Sequence, residues 1–173
     1  TKIKQNKTSV KIITLIGGDL MEIQWKNLIT CLAIPLAVGS LSALLTQNSM
    51  ETFGQLNKPA LAPPGWLFPV VWTILYILMG IALYLVLTSG KPVDAALTVY
   101  GVQLIFNFFW SIIFFNLKMY LFAFIWLIAL WLLIFKTAIK FYQVSKSAGY
   151  LMIPYLLWVT FAGYLNFSIY LLN

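Results

Sequence analysis

"KPALAPPGWLFPVVWTILYILMGIAL", residues 58–83, decides how the rest of the chain is read. Residues 58–72 alone hold four prolines, one lysine and two tryptophans. Proline fixes φ and removes a backbone donor, so the stretch opens as a stiff extended loop. From Trp66 no charged residue occurs until Lys91. An apolar run of that length crosses a hydrocarbon core of roughly 30 Å as a helix. A rigid loop therefore feeds a membrane span.

The rest of the chain repeats the pattern. Of 173 residues, 62% are hydrophobic, 17% aromatic and 9% charged, and the mean hydropathy is +0.92. A soluble domain carries about 25% charged residues. The reading is an all-α integral membrane protein, a bundle of five transmembrane helices over about 28–45, 66–88, 95–115, 119–142 and 150–172. The connection over 46–65 is the long one, and long loops in compact folds tend to be functional. With the N-terminus inside, Lys26, Lys91, Lys136, Lys140 and Lys146 fall on the inner side and only Lys58 and Lys118 on the outer. The positive-inside rule thus places the N-terminus in the cytoplasm, the C-terminus outside and the proline-rich loop facing outward.

Residues 1–27 read as a cytoplasmic leader and 28–173 as the membrane domain. Gly17-Gly18-Asp19 stands just before Met21, as a translated ribosome-binding site would. Met21 is therefore expected to be the native start and 1–20 translated leader; peptides covering 11–20 from the protein's own locus would overturn that. The +7 net charge, all of its cations lysine, reflects topology signals rather than nucleic-acid binding. Lysine-only usage fits an AT-rich bacterial genome and a multi-pass bacterial cell-membrane protein.

Several chemistries are excluded. The chain has no histidine and one cysteine, Cys31, so bis-histidine haem ligation, the usual zinc sites and a disulfide framework are absent. Asp19, Glu22, Glu51 and Asp94 all lie outside the apolar runs, which argues against a proton-coupled pump. No metal site and no obligatory cofactor are expected.

The informative residues are the polar ones inside spans, since burying them unpaired is costly. Gln103, Asn107 and Ser111 recur at i, i+4 and i+8 on span three, flanked by Trp110 and Phe114. They serve either as interhelical glue, worth about 0.6 kcal/mol per bond in a membrane, or as donors and acceptors lining a cavity. Phe68, Trp72 and Tyr76 share one face of span two. Trp72 lies about 9 Å below the surface, deeper than an interfacial belt explains. Tyr155, Trp158, Ala162 and Asn166 make a third stripe on span five. The Trp158 indole needs an acceptor there, and Pro154 frees a carbonyl near Tyr150 and is expected to kink the helix. Span four reads as lipid-facing structure, and span one, rich in Ala, Gly and Ser, as close helix packing.

Three segments together resemble the TspO/MBR family, the tryptophan-rich sensory proteins of bacteria with the mitochondrial translocator protein as relative. They are residues 58–83, "NFFWSIIFF" at 107–115 and "PYLLWVTFAGYLNFSIYLLN" at 154–173. The resemblance covers 28–173 and implies a five-helix bundle, often a homodimer, with a pocket near the first loop. It implies binding of protoporphyrin and other tetrapyrroles and of isoquinoline carboxamides, with light-dependent porphyrin breakdown in some members and steroid binding in animal relatives. Carried over by motif, Trp72 and Trp158 are the residues of ligand contact and photochemical degradation; Tyr76, Gln103, Asn107 and Ala162 fall on further ligand-linked positions. Two departures stand out. Phe53 replaces a tyrosine common five residues before the Lys-Pro, so stacking survives without a phenol. No Lys or Arg follows Lys146, so the sterol-consensus tail of the animal protein is missing.

The expected site comprises Phe53, Lys58, Phe68, Trp72, Tyr76, Gln103, Asn107, Trp110, Trp158 and Ala162, with a porphyrin as ligand or substrate. Pro59, Pro63 and Pro64 stiffen the loop over its mouth, and Lys58 is placed to meet a carboxylate. The expected partners are a tetrapyrrole or other amphipathic small molecule, membrane lipid and a second copy of the chain. Two other readings stay open: a transporter or exporter of amphipathic molecules such as tetrapyrroles or steroids, and a structural membrane partner with no small ligand.

Overall fold

The structure, a computed structural model, describes residues 23–47 and 49–173. The start expected at Met21 and the leader over 1–20 lie outside these residues. Within them the chain is helical: α1 Trp25–Leu45, α2 Ser49–Gln55, α3 Leu67–Leu87, α4 Asp94–Ser111, α5 Tyr120–Val144, α6 Lys146–Leu151 and α7 Ile153–Leu172. Five helical segments are long and apolar enough to cross a membrane, with α6 and α7 together making the fifth. The protein is a multi-pass membrane protein.

Proline sets two of the boundaries. Pro154 has no N–H to give the carbonyl of Tyr150, and the regular helix is interrupted at Met152, between α6 and α7. Met152 closes the break, its N–H bonding to Gly149 O at 3.1 Å and its carbonyl accepting from Leu156 N at 3.1 Å. The expected kink thus falls at one residue, Met152, which stays right-handed helical at φ −84° and ψ −13° between two segments of a single span. Pro69 lies in the first turn of α3, where a missing donor is tolerated.

The helices form a ring in which α1 packs on α3, α3 on α6, α7 on α5, α5 on α4 and α4 on α1. Close approach is made by small residues. A Cβ on Gly80 would stand 2.8 Å from Leu32 Cα and 2.9 Å from Cys31 O, the carbonyl that Pro35 leaves without its helical donor. A Cβ on Gly149 would stand 2.5 Å from Tyr142 Cβ. These contacts pinch one end of the bundle. At the other end α3 meets α7 through aromatic side chains, Phe68 with Trp158 and Trp72 with Tyr155, and none of its residues before Leu75 is buried.

Span four departs from the lipid-facing reading. One face of α5 is core, with Ala123, Leu127, Leu130, Ile134, Thr137 and Phe141 at most 2% exposed. The opposite face carries the exposed Phe122, Ile125, Ile128, Leu132 and Phe135. A span apolar all round gives no sequence signal for which stripe is inward.

Candidate functional site

At the open end the gap between α1, α3, α4 and α7 is a cavity of about 300 Å³, the low end for small-molecule sites. Six of the expected residues line it: Phe53, Phe68, Trp72, Tyr76, Trp110 and Ala162. Trp72 is the hub. Its ring stacks on Tyr76 with centroids 5.6 Å apart, leans on Trp110 at 6.4 Å and meets Tyr155 edge-on at 6.0 Å.

The wall from α4 owes its shape to a π-turn, Ile112–Asn116, that continues the helix. Leu117 N bonds back to Ile112 O at 3.0 Å. The extra residue in the turn brings both Phe114 and Phe115 to the cavity beside Trp110 and Ser111. Such turns recur at functional sites.

Asn107 and Gln103 do not line the cavity; they lie beneath it in a hydrogen-bonded ladder. The Tyr76 hydroxyl donates to Asn107 Oδ1 at 2.7 Å, Asn107 Nδ2 donates to the Tyr155 hydroxyl at 2.8 Å, and that hydroxyl donates to Gln103 Oε1 at 3.2 Å. The ladder fixes the tilt of Tyr76 and joins α3, α4 and α7. In the structure these amides act as interhelical glue.

Trp158 stands one ring behind the wall. It meets Phe68 edge-on at 5.9 Å, and Phe68 in turn meets Phe53 at 5.0 Å. Its Nε1 is buried with no partner among the described residues. Among the described residues none supplies the acceptor that its depth requires.

The loop forms the roof. Within it α2, a short helix that sequence reading took as loop, buries Phe53. Lys58 donates to Gly54 O at 3.2 Å and lies over the Phe53 ring at 5.1 Å, outside the cavity wall. The loop is clasped to the end of α7. Asn57 N donates to Asn173 Oδ1 at 3.0 Å, Asn173 Nδ2 donates to Asn57 O at 3.0 Å, and Asn57 Nδ2 donates to Leu172 O at 3.3 Å.

Span one, read as packing alone, contributes Gly39, Ser42 and Ala43 to the wall, joined by Thr46 just past its end. The signal available was the pair of hydroxyls at i and i+4 on its small-residue face. Asn166, one turn past Ala162, also lines the cavity; it accepts from Trp110 Nε1 at 3.3 Å and donates to Tyr120 O at 2.8 Å. A second hollow of about 310 Å³ lies on the outer flank between α5 and α7. It is apolar apart from Thr160, whose hydroxyl accepts from Trp131 Nε1 at 2.8 Å, and it offers nothing that would orient a ligand.

Residues 31–172 match the TspO/MBR family. The chain is 41% identical over 157 residues to the tryptophan-rich protein TspO of Chlorobaculum tepidum, covering 88% of this chain and 99% of that one. It is 38% identical to the tryptophan-rich sensory protein of Cereibacter sphaeroides, over 88% of this chain and 95% of the relative. Similarity extends to the translocator protein of Bos taurus at 30% identity, over 84% and 89% of the two chains.

Proposed function

We propose a function from the premise that this chain belongs to the TspO/MBR family: it is a membrane receptor for a porphyrin or related tetrapyrrole. The observation that carries this reading is the cavity lined by the aromatic rings of Trp72, Tyr76, Trp110 and Phe114 under a clasped roof. A tetrapyrrole is flat and apolar across its faces and carries charge only at its propionates. The π-faces of Trp72 and Trp110 offer stacking. The lysine bias puts this end of the bundle outside, so the ligand enters from the outer side or between helices.

The same arrangement supports light-dependent degradation. Among the described residues no carboxylate, lysine or histidine lines the cavity, so the chemistry drawn on is electron transfer. A photoexcited porphyrin takes one electron from the Trp72 indole, the porphyrin radical anion passes that electron to dioxygen, and the superoxide so formed oxidises the ring, leaving the indole one electron short. On this reading Trp158, edge-on to Phe68 at the wall, is the alternative indole donor. The test is tryptophan fluorescence of the detergent-purified protein titrated with protoporphyrin in dim light, followed by porphyrin absorbance under illumination. Saturable quenching is expected, with affinity and bleaching both reduced by Trp72→Phe and by Trp158→Phe. Both variants behaving like the unaltered protein would sink the assignment.

The second reading, transport of amphipathic molecules, is favoured by one observation. A file of rings runs from the roof to the lipid-facing flank of α7 through Phe53, Phe68, Trp158, Phe161 and Tyr164, with successive centroids 5.0 to 6.2 Å apart. Protein-dependent porphyrin flux into vesicles would support it; binding without flux leaves the receptor.

A further inference from the structure

Charge is rare in the spanning helices, yet α5 carries two lysines well inside its span. The span runs Tyr120–Val144, so Lys136 and Lys140 precede its end by about 12 Å and 6 Å along the axis. Both are exposed, and they lie on the outward side. Ile125, Ile128, Leu132, Lys136 and Ile139 recur at spacings of three and four, which is one helical stripe, and its apolar members are 42% to 56% exposed. The core face lies elsewhere, at Ile134, Thr137 and Phe141. Lys136 is therefore a cation on a surface that faces acyl chains, with Lys140 one turn above it. Neither ammonium has a hydrogen bond or ion pair among the described residues, whereas Lys91 at the same end donates to Val144 O at 2.6 Å. Asp94, the first residue of α4, is the one acid of the described residues at this end, and it pairs with neither lysine.

A helix tilts its Cα–Cβ bonds toward its own N-terminus, and in α5 that direction leads away from the nearer surface. Reaching water by snorkelling works against this tilt, so the two ammonium groups call for an anion at their own depth. The exposed Tyr142 and Tyr150, their rings edge-on at 5.5 Å, mark the headgroup level just beyond the lysines. Lys26, Lys91 and Lys146 at the same end add to the positive field. We infer that Lys136 and Lys140 form a binding site for the phosphate of an anionic phospholipid whose acyl chains lie along Leu132 and Ile128. The site is independent of what the cavity holds. Net headgroup charge decides the partner, because a zwitterionic lipid brings its own cation to the same place. Each lysine close to an anionic headgroup is worth about fivefold in affinity, so the pair favours an anionic lipid by about 25-fold.

Native mass spectrometry of the full chain in a neutral detergent counts bound lipid directly. Titrated at one ionic strength with phosphatidylglycerol or with phosphatidylcholine of the same chains, the unaltered protein should bind its first phosphatidylglycerol about 25-fold more tightly. Lys136→Gln with Lys140→Gln should abolish that preference. Lys136→Arg with Lys140→Arg keeps the charge and should retain it, as should Lys58→Gln with Lys118→Gln at the opposite end. Equal affinity for the two lipids overturns the site. A preference that survives the double Gln variant, or that falls as far in Lys26→Gln with Lys146→Gln, overturns its assignment to this stripe. Displacement of the bound lipid by equimolar inorganic phosphate overturns the lipid in favour of a free anion, and retention against it supports the lipid.

Discussion

The two ends of the bundle are built from equally apolar sequence and solve opposite problems. At the end holding the α3–α4 and α5–α6 connections, backbones meet. Met79, Ala82 and Val86 of α3, Ile134 and Phe141 of α5, and Ala148 and Met152 around α6 are all 0% exposed. Gly80 and Gly149 let the main chains touch. At the end under the loop, rings hold the helices apart, and Trp72, Tyr76, Trp110 and Tyr155 stand around a hollow. The difference teaches that hydrophobicity decides only that a segment lies in the membrane. Side-chain size decides whether the bundle closes or opens there, because helix association in lipid runs on packing rather than on escape from water.

The largest effect that tests this contrast is Gly80→Ala. The new Cβ meets backbone atoms that cannot step aside, so stability should fall by about 3 kcal/mol, the upper range for overpacking. Thermal unfolding in detergent measures it, and an unchanged midpoint would mean that the closed end is not close-packed. Next comes the boundary between the two ends. Tyr155→Phe strands Asn107 Nδ2 and Gln103 Oε1 and should cost about 2 kcal/mol for buried polar groups left unpaired. A loss no greater than that of an exposed Tyr170→Phe control would show that the ladder is ornamental. Gly39→Ala sharpens the contrast from the open side. Its Cβ collides with the Tyr76 ring, yet that ring has the cavity beside it. The expected outcome is a stability loss of only about 1 kcal/mol with porphyrin affinity reduced about tenfold. Equal damage from Gly39→Ala and Gly80→Ala would erase the distinction between the ends. The smallest effect is at the turn into α5, where Lys118 holds φ at 53°. Lys118→Gly relieves that conformation and should stabilise the protein by about 1 kcal/mol without altering ligand binding.

Much of this was legible from residues alone. The five spans follow from uninterrupted apolar runs, and the stripes on α3 and α7 place Phe68, Trp72, Tyr76 and Ala162 at the cavity because helical periodicity survives in any environment. What was hidden depended on tertiary contacts. The π-turn at Ile112–Asn116 has no sequence mark, since one extra residue in a turn changes no local preference visible in "IIFFN". Helix α2 spans seven residues including Gly54, too short for a periodic signal. Asn107 was left between interhelical glue and ligand partner, and Ser42 was read as packing, because residue type decides neither. In the fold the Tyr76 and Tyr155 hydroxyls take up the amide, while Ser42 lines the hollow.

The asparagine clasp over the cavity has a consequence for time rather than for affinity. Its three hydrogen bonds join Asn57 to Asn173 and Leu172 and involve no residue of the cavity wall. Bonds made alike over an empty and a filled cavity drop out of the equilibrium constant, because a term common to both states shifts neither. They reappear in the barrier whenever the roof must lift. On the receptor reading, passage by that route is slowed inward and outward by the same factor, so the clasp would govern how long a bound molecule dwells rather than how much of it is bound.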